Sequence, residues 1–316
     1  MSSEFARIAQ IEAVLRRESR EVSLSIGDDC AVLAPSDKPR VWTVDAAVQG
    51  VHFSRDYMAL EDIAYRAFMA AASDVAAMGG RAVAALSALI LPSTFSDAEL
   101  QQLVLGLARA SDDCACPIVG GNLARGGELS LTTSVLGECP SHVITRSGAR
   151  LGDGLFVTGT LGGAALGLRA LSAGRANDPT FAHEVARFLR PRARLDCALE
   201  VAACATAAID ISDGLMQDLE HLCRASHVGA RVEASALPLL EGFADAARAL
   251  SLDPIALALD GGEDYQILFS APRTQVPAEL GRWIGTITRQ RDGVHVLDAH
   301  GNERPRGRGF DHFADS

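Results

Sequence analysis

Strand-like and helix-like apolar runs alternate on both sides of a turn-rich stretch at 138–150, and this mixing restricts the chain to α/β or α+β architecture. With 316 residues, 48% of them apolar, the chain is too long for one small core and suits two domains, 1–137 and 138–316. In the first, Ile8, Ile11, Val14 and Leu15 at helical spacing predict a helix over 5–17. Strands are expected at 31–33, 41–46, 82–91 and 129–136, and helix formers fill 61–78 up to Gly79-Gly80. Ser96-Asp97-Ala98-Glu99 reads as a capping box that opens a helix running to about 114. In the second, strands are expected at 155–158, 207–211, 230–232, 266–270, 284–288 and 294–297, with helices at 163–172, 196–204 and 215–225.

Charge and composition remove several functions. The net charge of −11 opposes a broad nucleic-acid surface. The least polar window, 83–91, is about half the roughly 20 residues of a membrane span. Glu4, Arg7 and Glu12 interrupt what would be the apolar region of a signal peptide. A soluble cytoplasmic protein is expected. Seven cysteines without paired Cys-x-x-Cys knuckles fit a reduced compartment and exclude a structural zinc. Of the 29 basic residues 28 are arginine, and Lys38 is the single lysine, set in the turn-like Ser36-Asp37-Lys38-Pro39. A Walker A loop, a protein-kinase strand lysine and a pyridoxal Schiff base all need a lysine that Lys38 cannot supply.

The placement of carboxylates is the strongest chemical signal. Asp28 and Asp29 follow Gly27, Asp45 and Asp210 each end an apolar strand, and Glu263-Asp264 follow Gly261-Gly262. Hard oxygen ligands gathered at strand ends suit Mg²⁺ bridged to phosphate. Without lysine, metal ions would supply the positive charge that phosphates require.

Each motif also has a plainer reading. Gly27-Asp28-Asp29 is equally a hairpin turn, and Asp210-Ile211-Ser212-Asp213-Gly214 is equally a strand end with a helix N-cap. Asp74 fits a solvated helix face, although its neighbours are nearly all apolar, and His52 fits a hydrogen-bonded structural histidine. Gly159-Thr160-Leu161-Gly162-Gly163 lacks the full dinucleotide-binding spacing and the acid about 20 residues on, so tight strand-to-helix packing accounts for it better. Cys114 and Cys116 read as core packing, and Arg304, Arg306 and Arg308 as a solvated tail.

Eight segments in order resemble the thiamine-monophosphate kinase family: GDDCAVL from Gly27, VDAAVQGVHF from Val44, SDVAAMGG from Ser73, VGGN from Val119, RSGARLGD from Arg146, VTGTLGG from Val157, IDISDGL from Ile209 and DGGEDYQILF from Asp260. The closing Gly309-Phe310-Asp311-His312-Phe313 resembles that family's end. The resemblance implies the two-domain aminoimidazole-ribonucleotide-synthetase-like fold. There the N-terminal ATP/Mg²⁺-binding domain forms a barrel across a homodimer, and a C-terminal mixed-sheet α/β domain closes the substrate cleft. It implies direct transfer of the ATP γ-phosphoryl group to thiamine monophosphate, with several Mg²⁺ ions and no protein nucleophile.

Carried over by resemblance, Asp29, Thr43, Asp45, Asp74, Asn122, Asp210 and Asp213 would be metal ligands, with Asp74 and Asp213 the metal-mediated catalytic candidates. Gly120, Gly121, Arg146 and Ser212 would hold ATP, and His52, Glu263 and Phe310 thiamine monophosphate. The chain departs from the family at Asn122, usually aspartate, at Ala46, usually threonine, and at Ala71, often asparagine. Asn122 still offers a carbonyl oxygen, without the charge. The alternatives are another ATP-dependent enzyme of the superfamily, such as selenophosphate synthetase or the hydrogenase-maturation dehydratase, and a nucleotide-binding regulator without turnover. The two named enzymes are expected to need a terminal cysteine or selenocysteine, which neither end of this sequence carries.

Overall fold

Local signals set the ends of the first elements. α1 spans Glu4–Leu15 and is capped by Ser3, whose side chain accepts from the Ala6 amide. β1 (Val22–Leu24) and β2 (Val32–Leu33) pair as a short antiparallel hairpin. β3 (Arg40–Val48) and α2 (Leu60–Ala77) follow, and α2 stops where Gly79 takes a φ of +73°. After β4 (Arg81–Pro92), α3 (Asp97–Asp113) opens with the expected capping box: Ser96 Oγ accepts from the Glu99 amide, and Glu99 Oε2 from the Ser96 amide. β5 (Ile118–Gly126) and β6 (Ser130–Glu138) complete this part. β5 runs straight through Gly120-Gly121-Asn122, which the sequence reads only as the exit from a short apolar run.

The computed structural model describes residues 3–27, 29–140 and 142–304. Two compact units emerge, one of residues up to 141 without 76–79, the other of 76–79 and everything from 142 onward. In the first, the sheet order is β3-β6-β4-β5, antiparallel except for β4 with β5. α2 lies directly on one face: a Cβ added at Gly137 of β6 would sit 2.4 Å from Val75 Cγ1. α3 is tied to α2 by Tyr65, whose hydroxyl donates to Asp113 at 2.9 Å. Phe68, Ala71, Ala72, Leu103, Leu107 and Val135 are buried in this part of the molecule. The opposite face is covered only at one end, where Val22, Ala31 and Leu33 of the hairpin region pack on Val83, Ala84 and Val119. Beyond the hairpin, Trp42 and Val44 are 74% and 65% exposed, and Leu86 and Ile90 are exposed as well.

The second unit carries β7 (Gly154–Val157), α4 (Gly163–Ser172), α5 (Ala182–Leu189), α6 (Ala198–Cys204), β8 (Ala207–Asp210) and α7 (Leu215–Ser226). After these come β9 (Val228–Glu233), α8 (Phe243–Ala249), α9 (Pro254–Asp260), β10 (Ile267–Ala271), β11 (Arg282–Arg289) and β12 (Val294–Leu297). Its six strands run in the order β12-β9-β11-β7-β10-β8, antiparallel except for β12 with β9. Side-chain alternation divides the sheet between two cores. Leu155, Val157, Ile209 and Leu268 join Leu219 and Leu222 of α7 in one, while Phe156, Ala208 and Phe269 join Val201 and Ala202 of α6 in the other. Phe156 stacks on Phe269 with ring centroids 5.4 Å apart.

α5, α8 and α9 have only seven or eight residues each, too few turns to show a helical period in the sequence. No sheet among the described residues closes on itself. No helix among them is long and apolar enough to cross a membrane.

Candidate active site

In the first unit, the polar groups gather where edge strand β3 faces α2. Thr43 Oγ1 donates to Asp74 Oδ2 at 2.5 Å, so Asp74 is half-buried against the sheet rather than on a solvated face. Asp45, two residues on, projects to the same side as Thr43, and its Oδ1 accepts from the Ala46 amide at 2.7 Å. Its row across the sheet continues through Thr133 and Ser87 to Gly121. The hydroxyls of Thr133 and Ser87 are buried with no hydrogen-bond partner among the described residues. Gly121 is required here, because a Cβ would lie 1.9 Å from the Ser87 carbonyl oxygen.

His52 follows β3 in a tight turn: its amide donates to the Val48 carbonyl and its Nδ1 accepts from the Val48 amide at 3.1 Å. The backbone thus orients the ring, with the proton on Nε2. Asp29 lies in the exposed stretch before β2, and Asp28 lies outside the described residues. Asn122 stands across from Ala88 on β5, the edge opposite β3. Three strand spacings separate these edges, roughly 14 Å, so Asn122 and Asp45 cannot share an ion within one chain.

In the second unit, Asp210 is buried at the end of edge strand β8 and the 211–214 loop leads into α7. Asp218, in the first turn of α7, organises that loop. Its Oδ2 accepts from three consecutive amides, those of Ser212, Asp213 and Gly214, at 3.1, 3.1 and 3.2 Å. Burial, reinforced by the charges of Asp210 and Asp213, pushes the Asp218 carboxyl up to about 8. Asp213 Oδ2 accepts from Gln217 at 3.1 Å. The 261–266 turn is laced to the same loop: the Glu263 amide donates to the Ser212 carbonyl at 2.7 Å and the Tyr265 amide to the Ile211 carbonyl at 2.9 Å. Glu263 and Tyr265 have φ of +68° and +49°, a conformation costly for side-chain-bearing residues.

Between them, Asp264 turns inward and accepts from the Gly162 and Ala164 amides at 2.6 and 3.2 Å. The protein's own carboxylate therefore occupies the start of α4, and the glycine-rich 159–163 stretch packs rather than binds phosphate. Arg146 is exposed at the far end of α7, where its carbonyl accepts from Ser226 Oγ. About 18 Å of helix separates that point from Ser212. Phe310 lies outside the described residues.

The donor chemistry fits Mg²⁺. Only oxygen is offered and buried hydroxyls adjoin Asp45, while among the described residues no three His, Cys, Asp or Glu side chains come together to hold an ion by themselves. Mg²⁺ retains water and takes one or two carboxylates together with substrate phosphate, which such open sets permit.

Residues 27–139 match the AIR synthase related protein, N-terminal domain, and residues 150–273 its C-terminal domain. A thiamine-monophosphate kinase of Aquifex aeolicus (strain VF5) is 36% identical over 78% of this chain and 81% of its own length. That of Escherichia coli (strain K12) is 34% identical over 98% of both. The chain belongs to the thiamine-monophosphate kinase family. Among solved structures, AaThiL complexed with AMPPCP and TMP has a TM-score of 0.82 at 34% identity, covering 98% of this chain and 97% of that one. Hydrogenase maturation protein HypE, at 18% identity and a TM-score of 0.76, shares the fold alone. Within this thiamine-monophosphate kinase family member, sequence reasoning missed the roles of Asp218 and Asp264, the two carboxylates that shape its acidic loops. The available signal for Asp218 was an acid four residues after Gly214, on the first turn of a predicted helix.

Proposed function

We propose that this protein transfers the γ-phosphoryl group of ATP to thiamine monophosphate, giving ADP and thiamine diphosphate. The observation that carries the reading is the 210–218 loop. One buried carboxylate gathers three amides, so that Asp210 and Asp213 are held beside the turn bearing Glu263. Family membership over nearly the whole chain supports it. Asp29, Thr43, Asp45, Asp74, Asn122, Asp210 and Asp213 would hold Mg²⁺. When bound, Mg²⁺ neutralises phosphate charge and aligns the transferring group. The chain's own part is positioning: the Thr43 to Asp74 hydrogen bond orients Asp74, and Asp218 orients Ser212 and Asp213. Gly120, Gly121, Ser212 and Arg146 would take ATP, as the family resemblance implies. Glu263 and His52 take thiamine monophosphate, the carboxylate facing the cationic ring, and Phe310 completes that set by resemblance.

The bare sheet face of Trp42, Val44, Leu86 and Ile90 supports a homodimer in which two N-terminal sheets close a barrel. The seven free cysteines support a cytoplasmic setting. The test is thiamine diphosphate formation from ATP and thiamine monophosphate across a Mg²⁺ titration, with Asp74→Asn alongside. Mg²⁺-dependent product from the parent, and a loss of at least 100-fold in Asp74→Asn with unchanged melting, is the expected result. ATP binding without product at any Mg²⁺ concentration would replace the kinase by a non-catalytic nucleotide-binding relative.

A further inference from the structure

The 261–266 turn holds two side-chain-bearing residues in the left-handed region, Glu263 at φ +68° and Tyr265 at φ +49°, and neither is a glycine or an asparagine, the types that enter it readily. Local preference works against the turn, so bonds from elsewhere must hold it. Asp264, between the two, supplies them. It is 4% exposed, and its oxygens accept from the Gly162 amide at 2.6 Å and the Ala164 amide at 3.2 Å. The start of α4 needs that carboxylate as much, because its N-cap is Gly162, which has no side chain to offer the first amides of the helix. A carboxylate 100 residues beyond Ala164 meets both needs.

The frame that Asp264 bonds to is itself pinned. Arg187 donates to Thr160 Oγ1 at 2.7 Å and to the Thr160 carbonyl at 3.2 Å, and Arg194 donates to the Thr158 carbonyl at 2.6 Å. Gln266 closes the turn from its other end: Nε2 donates to the Asp264 carbonyl at 3.2 Å, while Oε1 accepts from Arg194 at 2.9 Å and from Thr158 Oγ1 at 3.2 Å. Asp264 thus ties the turn to a fixed frame, whereas the 211–214 loop has its own anchor in Asp218. The turn and the loop meet through the Glu263 and Tyr265 amides, yet each is held by a different buried carboxylate.

We propose that Asp264 is a positioning residue, which by bonding to the start of α4 holds the 261–266 turn in its left-handed conformation and so presents the Glu263 side chain to the acceptor substrate. It touches no substrate itself. The identity of that substrate as thiamine monophosphate rests on the function proposed above; the anchoring does not. The experiment combines steady-state kinetics of the full-length parent and of the D264N, D264A, E263A and E263A/D264N variants near neutral pH with amide hydrogen exchange of the parent and D264N.

Expected is at least a tenfold rise of the thiamine monophosphate KM in D264A and a smaller rise in D264N, which keeps one acceptor. The kcat and the ATP KM should stay within threefold of the parent, because Asp218 still holds the loop bearing Ser212 and Asp213. In the E263A background D264N should change the thiamine monophosphate KM by less than twofold, since no carboxylate remains to be presented. The Glu263 and Tyr265 amides should exchange at least tenfold faster in D264N, with those of Ser212, Asp213 and Gly214 unchanged. An unaltered thiamine monophosphate KM in the folded variants would overturn the proposal. So would equal losses in kcat and both KM values, which a merely structural role would give, or an effect in the E263A background as large as in the parent. A parent that forms no thiamine diphosphate would overturn the kinase reading; faster exchange confined to the Glu263 and Tyr265 amides would then still uphold the anchor, and unchanged exchange would overturn it.

Discussion

The two larger sheets among the described residues are built from the same mixture of strands and helices but finish their cores differently. The six-stranded sheet has apolar side chains packed on both faces, with Leu155 and Val157 in one core and Phe156 and Phe269 in the other. The four-stranded sheet has α2 on one face, whereas the other exposes Trp42, Val44, Leu86 and Ile90 beyond a short hairpin. A sheet buried on both faces is complete within its chain. One with a bare apolar face has surface to gain from burying it against something else. The difference separates residues that hold the fold from residues available for association.

The largest expected effect lies in the completed sheet. Phe269 is fully buried, and Phe269→Ala should cost about 3–5 kcal/mol in denaturant unfolding. Val44→Ala, on the bare face, should cost only about 0.5 kcal/mol or less at protein concentrations where the chain is monomeric. Equal costs there would erase the contrast between the sheets.

Association sharpens it further. Val44→Asp should convert a dimer seen by sedimentation velocity into monomer while leaving the circular dichroism spectrum unchanged. A sedimentation coefficient identical to the parent's would mean that the bare face is not the interface.

A smaller effect tests how the second unit accommodates buried charge. Burial raises the Asp264 carboxyl to about 6, against weaker opposing effects from Arg187 and the Gly162 and Ala164 amides. Its folded value therefore lies above the unfolded one, near 4. The associated stability is fully present below pH 4, falls as the pH rises through 6 and is absent above that. The fall amounts to about 3 kcal/mol. Asp264→Asn should abolish this decline between pH 4 and 6, measured by urea unfolding. At pH 4, where the parent's carboxyl is largely protonated, the variant should be less stable by about 1–3 kcal/mol, because its amide group must face one of the two N–H donors, and the deficit should close or reverse by pH 7 as the parent loses its stability. An unaltered pH profile would remove Asp264 from the account.

The smallest effect is local to the first unit. Ser96→Ala removes one half of the α3 capping box and should cost about 1 kcal/mol in thermal or denaturant unfolding. No measurable loss would make that helix start redundant to its packing.

The elements readable in advance were those whose signals are local. The Ser96 box, the glycine stop after α2 and the long apolar runs of β4 and β6 require no partner to be recognised. The acids of the candidate site were visible as types beside glycine at strand ends. Asp218 and Asp264 were not distinguishable as organisers, because an acid on a helix's first turn or in a Gly-Gly-Glu-Asp turn looks the same whether it points to water or to buried amides. Arg187 and Arg194 were equally legible as letters, and they acquire meaning only when their guanidinium groups bond to Thr160 and Thr158 just past the end of β7.

By itself, then, the sequence determined the mixed architecture, the exclusion of lysine-dependent chemistry and the family, since these depend on composition, periodicity and ordered motifs. Only the tertiary structure decided which face of each sheet is covered, that Asn122 and Asp45 lie on opposite edges, and which carboxylates turn inward. Those outcomes depend on strand order and register, which bring together residues far apart in the chain and leave no trace in local spacing.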